Sequence, residues 1–202
     1  FILMKTSAQY LNGWQIGSIR IFAAGIVFLP FAIFHFAKIP PKKLGIVMLT
    51  GLLGNLFPAL LFASAIDENG ESSLASILNS LTPLFVIIIG ILFFKTRIQN
   101  KKIVGVLIGF AGLVILSLTK GPVSPNDNGL LLIVIATIFY GITVNLVSYY
   151  LKEIDGFKIA AVSLTIMALP ASFIMWQQNV FSLVRYDKEA QFAIAIACLL
   201  GV

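Results

Sequence analysis

The chain is poor in the residues that soluble proteins carry most freely. Of its 202 residues only 11% are charged, against roughly 25% in an ordinary soluble domain, while 59% are hydrophobic. One cysteine, Cys198, excludes an internal disulfide framework, and one histidine, His35, leaves no basis for a histidine metal centre. Aspartate and glutamate are missing from every long apolar run, and the lone His35 lies at a span end away from most span serines, so neither the paired carboxylates nor the Ser–His couple of an intramembrane hydrolase is expected. A mean hydropathy of +1.01 excludes a disordered or collagen-like chain.

What is present is a series of apolar stretches long enough to cross a bilayer, for which about 20 residues suffice. Six full spans are expected at 15–36, 44–66, 74–94, 103–119, 129–151 and 157–176, with a seventh beginning at 190–202. A soluble helical core is a poor alternative. Residues 86–94 and 130–140 carry no polar face with a helical period. The expected fold is an all-α integral membrane bundle. Phe1–Met4 reads as the tail of an earlier helix and 190–202 as the start of a further one.

Charge sorts the loops onto two sides. Loops 36–43, 95–102 and 152–158 hold nine basic residues (Lys38, Lys42, Lys43, Lys95, Arg97, Lys101, Lys102, Lys152 and Lys158). The opposite set holds four, namely Lys5, Lys120, Arg185 and Lys188, with six acids. By the positive-inside rule the first set is cytoplasmic. The net charge of +6 is therefore a topology signal. Short loops without interleaved aromatics do not make a nucleic-acid surface. Tyr10, Trp14, Tyr149, Tyr150 and Trp176 fall at span ends, as an aromatic belt requires.

Polar residues inside the spans mark candidate pathway positions. Pro58 removes a backbone donor and frees a carbonyl one turn back, at Gly54 beside Asn55. The outer half of the third span carries Ser76, Asn79 and Ser80 ahead of Pro83, and its inner half is wholly apolar. Thr137, Tyr140, Gly141, Asn145 and Ser148 place polar groups along the fifth span. Asn55, Ser76, Asn79, Ser80, Tyr140 and Asn145 are the expected lining of a shared cavity; interhelical hydrogen bonding is the competing role. Arg20 lies near the outer end of the first span. It either snorkels to the surface or faces the cavity, where it attracts an anionic group. Gly105, Gly109 and Gly112 form a small-xxx-small face expected to pack against another helix.

A weak internal repeat is visible. Gly13-Trp14-Gln15-Ile16 matches Gly156-Phe157-Lys158-Ile159, and Leu29-Pro30 matches Leu169-Pro170 with a slip of one helical turn. The two copies are five spans apart, an odd number, so they point opposite ways; this is the inverted repeat of many secondary transporters.

The run Ser73-Leu-Ala-Ser-Ile-Leu-Asn-Ser-Leu-Thr-Pro83-Leu-Phe resembles the fourth-helix motif of the EamA domain in the drug/metabolite transporter superfamily. Ile103-Val-Gly105 with Gly109-Phe-Ala-Gly112 resembles the fifth-helix motif that follows, and Arg20 with Phe22-Ala23-Ala24 resembles the start of the second. The resemblance implies ten helices in two five-helix repeats, both termini cytoplasmic. Residues 1–120 are then a first repeat lacking most of its first helix, and 121–202 the start of the second. The chain departs from the family where Gly-Glu-Arg often follows the fourth helix. It reads Phe94-Lys95-Thr96-Arg97 here, so no role of that carboxylate carries over.

The resemblance further implies a multi-pass permease of the cell (inner) membrane. It would move small metabolites such as amino acids, often outward, by alternating access, with no cofactor or metal. Its partners are a small-molecule substrate and the lipid bilayer, and not nucleic acid. A channel or a non-transporting membrane partner is the alternative. Proton-driven carriers hold a titratable carboxylate or histidine at membrane depth, and the six spans offer none. Transport down the substrate's own gradient, or exchange, is therefore expected. In proteoliposomes of the full-length protein, with the membrane potential clamped, an imposed pH gradient should produce no uphill accumulation of a neutral substrate. Accumulation abolished by a protonophore would contradict this.

Overall fold

The computed structural model describes residues 2–69, 72–96, 100–118, 128–186 and 188–201. Among them every regular element is helical, in the order α1 Ile2–Ser7, α2 Gly13–Phe36, α3 Pro41–Gly51, a wide π-turn Leu52–Leu56, α4 Phe57–Asn69, α5 Ser72–Asn79 and α6 Thr82–Phe94. Next come α7 Asn100–Leu118, α8 Asn128–Tyr150, α9 Gly156–Gln177, α10 Val180–Tyr186 and α11 Lys188–Gly201. Five of the six expected spans are long and apolar enough to cross a membrane: Gly13–Phe36, Pro41–Asp67, Ile77–Phe94, Asn128–Tyr150 and Gly156–Gln177. The sixth, in α7, is apolar over Ile103–Gly112 among the described residues.

Local chemistry sets the helix starts. Asn12 Oδ1 accepts from Gln15 N at 2.8 Å, and Gln15 Oε1 accepts from Asn12 N at 2.9 Å, a reciprocal capping box that opens α2. Asp155 Oδ1 caps α9 by accepting from Phe157 N at 3.0 Å. Pro58 is accommodated by the π-turn before it, where Phe57 N reaches back to Leu52 O, five residues away. Pro83 breaks the third span at Ser80–Leu81. The Ser80 and Leu81 amides bond to carbonyls only three residues back, and the Thr82 hydroxyl donates to Asn79 O at 2.7 Å.

α2 and α9 pack along their length in antiparallel fashion. Asn12 Nδ2 donates to Gln178 Oε1 at 3.1 Å at one end, and the Phe31 and Phe157 rings meet at 5.4 Å at the other. Between these ends a Cβ on Gly25 would lie 2.5 Å from Ala168 Cβ and 2.8 Å from Leu164 O, so the backbones touch where only glycine fits. On another side of α2, Gly13 and Gly17 admit Ser64 and Leu60 of α4. α8 lies between α4 and α6, and α11 covers α1 and α2.

Two of the basic loops meet at one end of the bundle. Lys43 Nζ and Glu153 Oε2 pair at 2.7 Å, so loops 36–43 and 152–158 share one end. The Phe94 ring packs on Tyr149 and Tyr150 at that end. The Lys43 ammonium holds the Glu153 carboxylate below its ordinary range, so the pairing is present at neutral pH and is lost as pH falls through that lowered value. At the opposite end Asp67 Oδ2 accepts from Gly13 N at 2.9 Å, and Gln15 Nε2 donates to Gln178 O at 3.0 Å. Tyr10, Trp14, Tyr149, Tyr150 and Trp176 are all exposed, as a belt requires.

The expected small-residue face of α7 is open among the described residues. A Cβ on Gly105, Gly109 or Gly112 would meet nothing within 4 Å, whereas Gly13 and Gly17, a second pair at the same four-residue spacing, pack tightly. The spacing licenses close approach on either helix, and only a partner decides which face uses it.

Gly13→Ala and Gly25→Ala should each destabilise the chain by about 1–3 kcal/mol, because the added methyl meets backbone that cannot yield. Gly105→Ala should be neutral or stabilising by up to about 1 kcal/mol, since alanine is the better helix former. Unfolding in mixed detergent micelles compares the three; a larger loss at Gly105 than at Gly25 would contradict the packing described.

Candidate substrate pathway at mid-depth

The helix irregularities lie at one depth. The π-turn sits at the centre of the α3–α4 span, the Ser80–Leu81 break at the centre of α5–α6, and Tyr140 at the centre of α8. Irregular backbone inside a bilayer persists only where protein or a water-lined cavity satisfies it, so this layer is where the polar backbone most needs partners.

The expected pathway residues divide into separate environments within that layer. Asn145 is buried, and its Nδ2 donates to Val86 O at 2.9 Å and Gly141 O at 2.8 Å. Its Oδ1 lies against Gly90, where a Cβ would come within 2.8 Å. Asn145 thus fastens α8 to α6. Asn79 caps the break, its Oδ1 lying 3.4 Å from Thr82 Oγ1 as a second acceptor. Ser80 is exposed and opens into a groove of about 210 Å³ between α6 and α7, lined also by Pro83, Gly105 and Gly109. Ser76 lies in α5, but its side chain is outside the described residues.

Asn55 lies in the π-turn, half-buried, and its side chain has no hydrogen-bond partner among the described residues. Next to it Gly54 abuts Thr143 of α8, with Thr143 Cγ2 2.6 Å from where a Cβ would stand. Thr143 Oγ1 is buried and unpartnered among the described residues. Tyr140 stacks on Phe62 at 6.1 Å. Arg20 is half-buried. Its Nη1 contacts Met4 Sδ at 3.4 Å, and its Nε is buried without a hydrogen bond. Two further cavities involve none of these residues. One of about 580 Å³ is bordered by Trp14, Phe57, Leu60, Ser64, Asp67 and Phe139. The other, of about 430 Å³, follows the α2–α9 seam.

Thr143 was not among the expected pathway positions. Its hydroxyl does not stand out among the polar groups of the fifth span, and its lack of a partner shows only in three dimensions. Thr137, by contrast, satisfies its own hydroxyl on Val134 O at 2.7 Å. Among the described residues no group of histidine, cysteine or carboxylate side chains has the arrangement of a metal site.

Asn145→Ala should cost about 1–2 kcal/mol, the scale of interhelical hydrogen bonds in a bilayer, measured by reversible unfolding in micelles. A variant with unchanged stability would remove Asn145 from its role as a fastener between α6 and α8.

Comparison with known proteins agrees with the architecture. The EamA-like transporter family matches over residues 1–118. An uncharacterized transporter of Archaeoglobus fulgidus is 30% identical over 138 residues, covering 68% of this chain and 48% of that protein. The uncharacterized inner membrane transporter YedA of Escherichia coli strain K12 is 33% identical over 142 residues, covering 68% of this chain and 45% of that protein. The chain therefore spans about half the length of the curated relatives it matches. No solved structure matches. Family and relatives point to a transporter and away from an enzyme, and a chain with five membrane-crossing helices and a family match over more than half its length belongs to the EamA-like transporter family.

Proposed function

We propose that this chain is the first repeat (1–120) and the start of the second (121–202) of a multi-pass carrier of the cell membrane. It moves small metabolites, amino acids or related compounds, outward by alternating access. Loops 36–43, 95–102 and 152–158 face the cytoplasm, in keeping with their basic residues and with the shared end occupied by Lys43 and Glu153.

The observation that carries this reading is the α2–α9 crossing. Gly13 and Gly156 open the two matching helices, 143 positions apart, and the same offset pairs Gly25 with Ala168, the two residues that touch. Contact between equivalent positions is what a pseudo-two-fold axis between inverted copies demands. The seam cavity repeats the relation. It is lined by Phe22, Ile26 and Leu29 of α2 and by their equivalents Thr165, Leu169 and Ser172 of α9. One repeat can rock against the other about this point, opening the polar tie at Asn12 and Gln178 or the aromatic tie at Phe31 and Phe157 in turn.

Within this reading Asn55, Ser76, Ser80, Tyr140 and Thr143 offer neutral hydrogen-bonding groups to the solute at mid-depth. Asn79 and Asn145 hold the helix break and the α6–α8 contact that shape the layer. The open face of Gly105, Gly109 and Gly112 is suited to close packing by a further helix of the full-length protein.

Reconstitution of the full-length protein into liposomes tests the carrier reading. Flux of the substrate found by comparing metabolite efflux with and without the protein should saturate, and preloaded unlabelled substrate should drive counterflow of labelled substrate. Flux that rises linearly without counterflow would point to a channel, and absence of flux to a non-transporting partner.

A further inference from the structure

We propose that the cavity bordered by α2, α4, α8 and α9 is a binding site for a single-chain lipophilic amine, its ammonium on Asp67 and its apolar chain running toward mid-depth. The inference is independent of the carrier reading, because occupancy is read without flux.

The cavity holds about 580 Å³, within the ~300–1,000 Å³ of small-molecule sites. It extends from Leu56, the last residue of the π-turn, to Asp67 in the closing turn of α4. At 1.5 Å per residue that is about 16 Å along the helix. Between these limits the lining is apolar, with Leu60 and Leu61 from α4 and Leu132 and Ile135 from α8. The Phe57 and Phe139 rings, 5.9 Å apart, stand at its deep end. An elongated apolar space of this kind takes an alkyl chain.

Polar groups gather at the other end. Asp67 Oδ2 accepts from Gly13 N at 2.9 Å, which fixes the carboxylate beside the start of α2, and Oδ1 has no hydrogen bond among the described residues. Ser64 lies one turn earlier on α4 and adds a hydroxyl, and Trp14 adds an indole ring next to Gly13. Asp67 is the only charged residue lining the cavity. Among the described residues the one ion pair is Lys43–Glu153, at the opposite end of the bundle, so Asp67 has no cationic partner there.

This set selects the headgroup. An ammonium would find a carboxylate acceptor, a hydroxyl and an aromatic face. A carboxylate or phosphate would find no cation, and residues 67–73 carry Asp67, Glu68 and Glu71 without a basic residue. A diacyl phospholipid would bring its phosphate against these acids, and an uncharged chain would leave the carboxylate unmatched. A single chain ending in an amine satisfies both the apolar lining and the one negative charge.

The test is thermal unfolding of the full-length protein in phosphatidylcholine nanodiscs with decylamine, decanol or decanoate at matched concentration. Decylamine should raise the unfolding temperature of wild type to a plateau, and decanol and decanoate should not. Asp67→Asn keeps an acceptor for Gly13 N and removes the charge. It should weaken half-saturation by decylamine about tenfold or more, the scale of one charge-assisted hydrogen bond. Ile135→Trp, which fills the cavity from α8 and leaves Asp67 in place, should abolish the effect. Equal protection of wild type and D67N would overturn the proposal, since Asp67 would then serve only to tie α4 to α2. Equal protection by decanol and decylamine would overturn it in favour of a groove for lipid chains. No protection of wild type by decylamine would also overturn it, as expected if a further helix of the full-length protein occupies the cavity. If D67N does not fold, undiminished protection of I135W by decylamine would overturn it in the same way. Saturable flux without decylamine protection would sink this inference alone, and decylamine protection without flux would sink the carrier reading alone.

Discussion

Two helices share a backbone contact only where one of them lacks the atom that would hold them apart, and Gly25 is that place for α2 and α9. Its missing Cβ lets Ala168 and the Leu164 carbonyl come to van der Waals distance. In lipid, where tails are as apolar as leucine, such close approach supplies the attraction that the hydrophobic effect supplies in water. From this crossing the two helices diverge to two differently tied ends, amide groups at one and aromatic rings at the other. α4 is then seated on the Gly13–Gly17 face of α2, and α8 and α6 follow outward through Phe57–Phe139, Gly54–Thr143 and Asn145–Val86.

The bilayer imposes a second condition, that polar groups satisfy one another. Most do so locally. Ser18, Thr50, Thr137 and Ser163 each donate to a carbonyl three residues back in their own helix. Three groups do not. The Thr143 hydroxyl, the Asn55 amide and the Arg20 Nε have no hydrogen-bond partner among the described residues; the first two lie at the π-turn, and Arg20 lies two turns into α2. Groups that could form hydrogen bonds and do not are what a solute pathway needs, since a fully satisfied network has nothing to offer a ligand.

Much of this was legible in the amino-acid order. Run lengths gave the spans to within a few residues, since hydrocarbon thickness sets them. Charge placed loops 36–43 and 152–158 together because lysines cluster on one side, and Lys43–Glu153 pairing agrees. What the order did not resolve was partnership. Gly105-xxx-Gly109 and Gly13-xxx-Gly17 have the same spacing, yet among the described residues only the second meets a helix. Asn145 and Asn55 are both amides amid apolar residues, yet one is consumed by two carbonyls and the other is left open. The slip of one turn between the two proline pairs hid the more regular relation, in which the offset set by Gly13 and Gly156 runs unbroken to the crossing.

The central claim is that α2 and α9 pivot about Gly25 and Ala168. Double electron–electron resonance on the full-length protein, with spin-label pairs at 12 and 178, at 35 and 157, and beside the crossing at 26 and 169, tests it directly. With substrate gradients imposed in each direction, the two end distances should change in opposite senses while the central distance holds. Ends that lengthen together, or a central distance that changes as much as the ends, would contradict a pivot at this crossing.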